Sequence, residues 1–529
     1  MTALNFTNRF SENLPADKES ENYTRQVPHS AFSYVLPKQV SSPKLVAKSD
    51  CLVTSLGLDE LAKCSETLAQ VFTGNQILDG MEPYAMCYGG HQFGHWAGQL
   101  GDGRAINLGE IKTENSGFQT LQLKGAGPTP YSRGADGFAV LRSSVREFLC
   151  SEAMFHLGIP TTRALTLCLT GDKVERDMFY NGNAKYEQGA IVCRVSSSFL
   201  RFGSFQLPYS RKDLSLLKTL VDYCIEHDYP HLGAPNKGSY IQWLTEISER
   251  TCELVIHWMR VGFVHGVLNT DNMSILGETI DYGPYGWIDN FDLNWTPNTT
   301  DRQNRRYCFG AQPDICRWNL FQLANAIYPL IEDVDALQKI IDDFNINYQK
   351  QWREMMANKL GLKDFSSEDD SFFKALEQLL YFLQMDMTIF YRLLADFQLT
   401  HSSNSMNSES ILSFFESCFY DKNEIDEEDT KSLLAWLTRY LNKLEKEKNQ
   451  SNDERKIAMN KVNPKYVLRN YLAQQAIDRA EQGDFSEIRK LQKILEKPYE
   501  DQPDFEAYAQ KRPEWAKNKA GCSMLSCSS

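Results

Sequence analysis

One Gly/Asp/Asn-rich segment, residues 262–300, interrupts a half-chain that otherwise reads as helix, and it limits the fold more than any other feature. Before it, apolar residues recur at helical spacing around Leu216–Ile225 and Trp243–Val261. After it, Phe372–Leu394 does the same. Inside the segment lie His265-Gly-Val-Leu268-Asn-Thr-Asp271-Asn272 and then Asp281-Tyr-Gly283. By composition alone an Asn-Thr-Asp-Asn run is a solvated turn. Asp281-Tyr-Gly283 downstream and a lysine upstream count against that reading.

The first half of the chain has a different texture. Residues 1–75 read as a polar N-terminal extension ending in a Leu/Ala-rich helical stretch (Leu58, Leu61, Ala62, Leu68). Residues 76–215 are Gly-rich, with short β-type runs at Thr120–Leu123 and Ala190–Cys193. One helix stands out there. Ser144-x-x-Glu147 has the form of a capping box, Val145, Phe148, Leu149 and Phe155 share a helical spacing, and Gly158 and Pro160 end it. The fold expected is α+β, with a small mixed lobe (76–215), a larger helical lobe (216–400) and a helical C-terminal extension (401–529). That extension opens with a Ser/Asn-rich linker, His401–Ser410, and closes in a tail carrying Cys522 and Cys527. Such an arrangement puts a ligand in the crevice between lobes.

Several residues outside the 262–300 segment can handle phosphate. The run from Gly89 to Arg104 contains Gly89, Gly90, Gly94, Gly98, Gly101 and Gly103, a density that allows close backbone approach to an anion or simply tight turns. It matches neither the Walker A nor the Rossmann pattern. Lys124 ends a β-like run just before Gly125, and Glu147, on the following helix, can pair with it or serve as the capping partner of Ser144. Arg194 and Arg201 offer guanidinium forks suited to phosphate oxygens, and Arg142, Arg146 and Arg163 are comparable candidates.

Protein kinases carry His-Arg-Asp-Leu-x-x-x-Asn followed by Asp-Phe-Gly. With His265 in the place of that His, Leu268 and Asn272 fall in register, and Asp281-Tyr-Gly283 takes the place of Asp-Phe-Gly. The kinase catalytic Asp would fall at 267, which is Val; a carboxylate appears at Asp271 instead. Together with Gly89–Glu110, Leu121–Arg163 and Lys185–Phe205, these runs resemble the selenoprotein O family of kinase-like proteins over most of the chain. The resemblance implies a protein-kinase-like bilobal fold and transfer of AMP from ATP to Ser, Thr or Tyr hydroxyls of protein substrates, releasing pyrophosphate, with a link to redox homeostasis. It implies nucleotide contacts from Gly101, Gly103, Arg104, Lys124, Asp136, Gly137, Arg194, Arg201 and Asp281. It also implies Asp271 as proton acceptor, Asn272 and Asp281 as ligands of Mg²⁺ or Mn²⁺, and Glu147 in support. Some family members pair the C-terminal Cys with a Cys just past the Asp-Tyr-Gly segment. Here Asn294–Asn298 has none, leaving Cys308 and Cys522 as substitutes.

Composition removes other classes. A net charge of −13 opposes general nucleic-acid binding. No apolar run approaches the roughly 20 residues of a membrane helix, and the mixed-charge N-terminus does not resemble a targeting signal. A cytoplasmic monomer without membrane or nucleic-acid partners is expected. Two alternatives share the motif: a kinase transferring the γ-phosphoryl group with Asp271 as base, and a non-catalytic ATP-binding pseudokinase scaffold.

Overall fold

The structure is a computed structural model that describes residues 5–114, 117–179, 181–397, 408–447 and 451–526. Its centre is a seven-stranded sheet, ordered β1-β3-β6-β7-β9-β8-β2, in which each strand runs antiparallel to its neighbours. The strands are β1 (Phe32–Tyr34), β2 (Lys44–Lys48), β3 (Tyr84–Met86), β6 (Ala105–Thr113), β7 (Gly117–Lys124), β8 (Arg163–Arg176) and β9 (Lys185–Ser196). A separate hairpin joins β4 (Gly89–Gln92) to β5 (His95–Gln99), and β10 (Phe263–Val264) pairs with β11 (Gly286–Trp287). The protein is α+β.

Strand alternation sorts the two faces of the sheet. Leu121 and Leu123 of β7 and Ile191, Cys193 and Val195 of β9 join Leu68, Val71 and Phe72 in one apolar layer. Helix Leu141–His156 lies against β8 and β9, and its Val145, Phe148 and Leu149 belong to the main core. Residues 5–75 are part of this body: β1 and β2 form its two outer strands, and Phe10, Val27 and Phe32 are buried.

Helix Lys237–Val261 packs on helices Gln312–Ile331 and Val334–Leu360, and Gly262, at φ +76°, ends it in a left-handed cap. The apolar stretch read as Phe372–Leu394 is two helices, Asp370–Phe382 and Met387–Asp396. The break is local: Gln384 has φ +46°, and the Asp386 carboxylate caps the second helix by accepting from Ile389 N at 3.1 Å. Helices Asn470–Ala480 and Ser486–Leu495 pack on helix Leu141–His156, so the C-terminal region braces the mixed half of the molecule.

The described part of the tail, up to Ser526, packs onto the molecule. Leu525 exchanges backbone hydrogen bonds with Pro297 and Thr299 (2.9 and 2.8 Å), and Cys522 and Leu525 are buried. Cys308 is also buried, and the twelve described cysteines are all free thiols. Cys527 and residues 401–407 of the linker lie outside the described residues. No described helix is long and apolar enough to cross a membrane.

Candidate active site

The site forms where the polar face of the sheet meets the 262–300 segment. Because Leu121 and Leu123 turn into the apolar layer, Gln122 and Lys124 turn the other way. The β7–β9 register sets Arg194 opposite Gln122, and the Arg194 guanidinium donates to Gln122 Oε1. From helix Leu141–His156, Glu147 reaches Lys124 at 2.8 Å and Arg194 at 3.2 Å.

That pairing decides between the two sequence readings of Glu147. The capping box is not formed. The helix begins at Leu141 because Val140 bridges to Gly189 of β9, which leaves Ser144 one turn inside with its hydroxyl toward Ala190 O. Phe155, read as part of the apolar stripe, is 45% exposed and lies 3.4 Å beneath the Arg163 guanidinium.

Asp281 is the centre of the charged network. Its Oδ1 accepts from Lys124 Nζ (3.0 Å) and Arg194 Nη1 (2.6 Å), and its Oδ2 accepts from Arg201. Burial would push this carboxyl up, but Arg201, Lys124 and Arg194 together hold it well below the usual carboxylate range. Arg201 also donates to the backbone carbonyl of Asp271 at 2.8 Å and stacks 4.7 Å from the Tyr88 ring. Both arginines, expected to hold phosphate, therefore rest on a carboxylate here.

Asp271 differs from Asp281. Its Oδ2 accepts from Gln92 Nε2 at 3.2 Å, while Oδ1 is buried and has no partner among the described residues. Burial pushes its carboxyl up to about 6, against the opposing pull of Gln92 and Arg201. Asn272 donates from Nδ2 to Val267 O at 2.8 Å, which leaves its Oδ1 for another partner. His265 is packed against Trp258 and Phe263, and burial lowers it to about 4, so the ring is neutral and structural.

The hairpin β4–β5 covers this loop. Its Gly89 and Gly90 serve close packing: a Cβ on Gly90 would lie 2.7 Å from Asp271 Oδ1, and one on Gly203 would lie 2.0 Å from Gly89 O. His91 N and Phe93 N donate to Thr270 Oγ1 (2.7 Å) and Asn269 Oδ1 (3.2 Å), tying the hairpin to the loop.

The remaining expected residues form a second group beyond β5. Gly101, at φ +73°, lies under the Tyr131 ring, Gly103 O accepts from Ser132 Oγ (2.5 Å), and Arg104 is half-buried. Asp136 pairs with Arg176 at 2.7 Å, and Gly137 abuts the Gly127 backbone, whose N–H donates to Gly137 O at 3.1 Å. Arg142, Arg146 and Arg163 are engaged elsewhere, by Glu187, the Tyr285 carbonyl and Glu152.

Sequence reasoning passed over Asp102 and Gln92. Asp102 is buried, accepts from Met86 N (3.1 Å) and Tyr88 Oη (3.2 Å), and lies 3.9 Å from Arg201, linking the glycine turn to the charged centre. An acid enclosed between Gly101 and Gly103 was its only sequence signal; for Gln92 there was none beyond its place in the glycine run. A cavity of about 1200 Å³ between helices Lys237–Val261 and Val334–Leu360 contains none of these residues.

A family model described as protein adenylyltransferase SelO matches residues 17–496. Among curated proteins, a protein nucleotidyltransferase YdiU from Rhodopirellula baltica is 53% identical over 536 residues, covering 99% of each chain. Those of the same name from Flavobacterium johnsoniae and Azoarcus sp. are 51% and 53% identical over 529 residues, each covering 100% of both chains.

Proposed function

This chain belongs to the SelO protein adenylyltransferase family, and from that premise we propose that it transfers AMP from ATP to Ser, Thr or Tyr hydroxyls of proteins, releasing pyrophosphate. The fold that goes with this reading is kinase-like and bilobal, with residues 76–215 and 216–400 as its lobes. The observation that carries it is the pairing of a buried carboxylate oxygen on Asp271, without a partner among the described residues, with three cations gathered on Asp281.

Each of these residues has a task in nucleotidyl transfer. Asp271 accepts the proton of the acceptor hydroxyl; its raised carboxyl makes it a better base than a surface aspartate while leaving it ionised at neutral pH. Gln92 holds the other oxygen and so aims Oδ1. Lys124, Arg194 and Arg201 neutralise the triphosphate and the charge that grows on the departing pyrophosphate. Glu147 keeps Lys124 and Arg194 in place. Gly101, Gly103, Arg104, Asp136 and Gly137 line the nucleotide's other contacts.

The donor set fits a hard divalent cation: the Asp281 carboxylate and the Asn272 amide oxygen, with the buried Asp271 Oδ1, which has no partner among the described residues, beside them. Asn272 and Asp281 would hold Mg²⁺ or Mn²⁺, which supplies charge neutralisation to the phosphates. Phosphate oxygens would draw Lys124, Arg194 and Arg201 off Asp281 and free its oxygens for that role.

The test incubates the protein with Mg²⁺ or Mn²⁺, a protein mixture, and ATP labelled at the α- or the γ-phosphate, with α-labelled UTP as a third arm. Label transferred from α-ATP and not from γ-ATP is expected. Transfer from the γ-position alone would make the protein a kinase, transfer from UTP alone would make it a uridylyltransferase, and no transfer at all would make it a scaffold.

A further inference from the structure

The cysteines divide into two kinds. Burial pushes Cys87, Cys168 and Cys252 up to about 12 and Cys522 up to about 11, values at which a thiol is inert at neutral pH. Cys51, in the short helix Asp50–Ser55 that follows β2, is exposed and sits in a cluster of polar side chains. Arg163 Nη2, from the start of β8, lies 3.2 Å from its Sγ, and Ser49 Oγ lies 3.4 Å away. A ring nitrogen of His156 and a carboxylate oxygen of Glu152, both from helix Leu141–His156, fall with that sulfur inside a 4.8 Å sphere of mutual separation.

The positive charge beside the sulfur is fixed by the framework. Arg163 is held bidentately by Glu152, Nε to Oε1 at 2.8 Å and Nη2 to Oε2 at 2.7 Å, and stacks on the Phe155 ring. The charge on Asp50, at the start of the short helix, is offset by Lys48 at the end of β2, with which it pairs. His156 above all, then Ser49 and Arg163, favour the thiolate over the opposing effect of partial burial and bring Cys51 down to about 7.

Cys, His and Glu at this spacing could suggest a metal, but Glu152 has no oxygen to spare. Its Oε1 also accepts from Ala164 N (3.1 Å) and its Oε2 from Ser49 Oγ (2.6 Å), and a guanidinium occupies the place a cation would take. The chemistry left open is nucleophilic. We propose that Cys51 is a reactive thiol, separate from the catalytic centre, that undergoes exchange with small-molecule disulfides and carries the resulting mixed disulfide.

The step balances without a further reagent. The Cys51 thiolate attacks one sulfur of the disulfide, the S–S bond breaks, a new S–S bond joins that half to Sγ, and the other half leaves as a thiolate that takes a proton from solvent. Cys64, the other exposed described cysteine, has no cation against its sulfur and donates to Glu66 Oε2 at 3.4 Å among the described residues. The inference does not depend on the nucleotide reading.

The experiment treats the reduced, full-length protein with hydroxyethyl disulfide and follows each cysteine by peptide mass spectrometry, alongside a short unstructured cysteine peptide. Weighing a larger thiolate fraction against lower intrinsic nucleophilicity, Cys51 should react about threefold faster than the peptide at pH 7 and about sixfold faster at pH 6. The order should reverse above about pH 8. Arg163→Gln and His156→Gln should each move Cys51 toward the peptide's profile. A Cys51 that is slower than the peptide at pH 6, or no faster than Cys64, overturns the proposal. Stoichiometric Zn²⁺ binding that disappears in Cys51→Ser would overturn it in favour of a metal site. The wild-type pH crossover decides the matter even if the Arg163 variant fails to fold.

Discussion

Two aspartates, the half-buried Asp281 and the buried Asp386, each hold arginine, and they are built differently. Asp386 meets Arg469 through both oxygens (2.6 and 3.1 Å), receives Tyr420 Oη at 3.0 Å and caps a helix through Ile389 N. Neither it nor Arg469 leaves a buried polar atom without a partner among the described residues. It is a closed network joining helix Met387–Asp396 to the C-terminal region. Asp281 gathers three cations from separate elements, and the same cluster leaves Asp271 Oδ1, Arg194 Nε and Arg201 Nε buried and without a partner among the described residues. Buried polar atoms are normally satisfied. A network closed on itself supports the fold, whereas one that leaves several atoms open fits the ligand-binding role proposed for the Asp281 cluster.

Substitution should separate the two. Asp281→Ala is expected to lower nucleotidyl transfer about a thousandfold or more, since it removes a ligand and the charge that organises three cations; retention of a tenth of the activity in a labelling assay would break the assignment. Arg469→Met should do the opposite. It strands a buried carboxylate and should cost about 3–5 kcal/mol of stability in denaturant unfolding, with activity per folded molecule nearly unchanged. Asp271→Asn should slow transfer about a hundredfold or more while leaving nucleotide binding intact, as expected of a general base. A variant equally impaired in binding would move Asp271 out of that role.

The pH profile sharpens the same distinction. Asp271 must be ionised to accept a proton, so activity should fall as pH drops through about 6, the value its burial sets in the ligand-free site. A cation bound beside it would move this limb lower, so an acid limb centred above pH 7 would contradict the assignment. The smallest effect belongs to Gln92→Ala. Losing the hydrogen bond that lowers the Asp271 carboxyl should shift the limb to higher pH, with a rate loss of only severalfold near neutrality. An unshifted limb would remove Gln92 from its aiming role.

What the sequence made legible follows from how far each interaction reaches. The order His265, Asp271, Asn272, Asp281 is local, and so is the β-like run that Lys124 ends just before Gly125. Glu147 was legible as a partner but also as a cap, and only the start of the helix at Leu141 separates the two. Asp102 and Gln92 act through folding that brings residues some 100 to 180 positions apart together, Asp102 with Arg201 and Gln92 with Asp271, which no local pattern records. For the same reason β1 and β2 read as a polar lead-in: an outer strand of three to five residues has too little periodicity to declare itself. The docking of residues 520–526 on Pro297 and Thr299 was hidden by a Ser/Cys-rich composition that suggests a loose end.

Hydrogen–deuterium exchange on the full-length protein, with and without Mg²⁺ and a non-hydrolysable ATP analogue, tests the contrast between the two networks most directly. The account predicts new protection in the segments around Lys124, Arg194–Arg201 and Asp271–Asp281, and no change around Asp386 and Arg469. Protection absent from the first set, or strongest near Asp386, would contradict it.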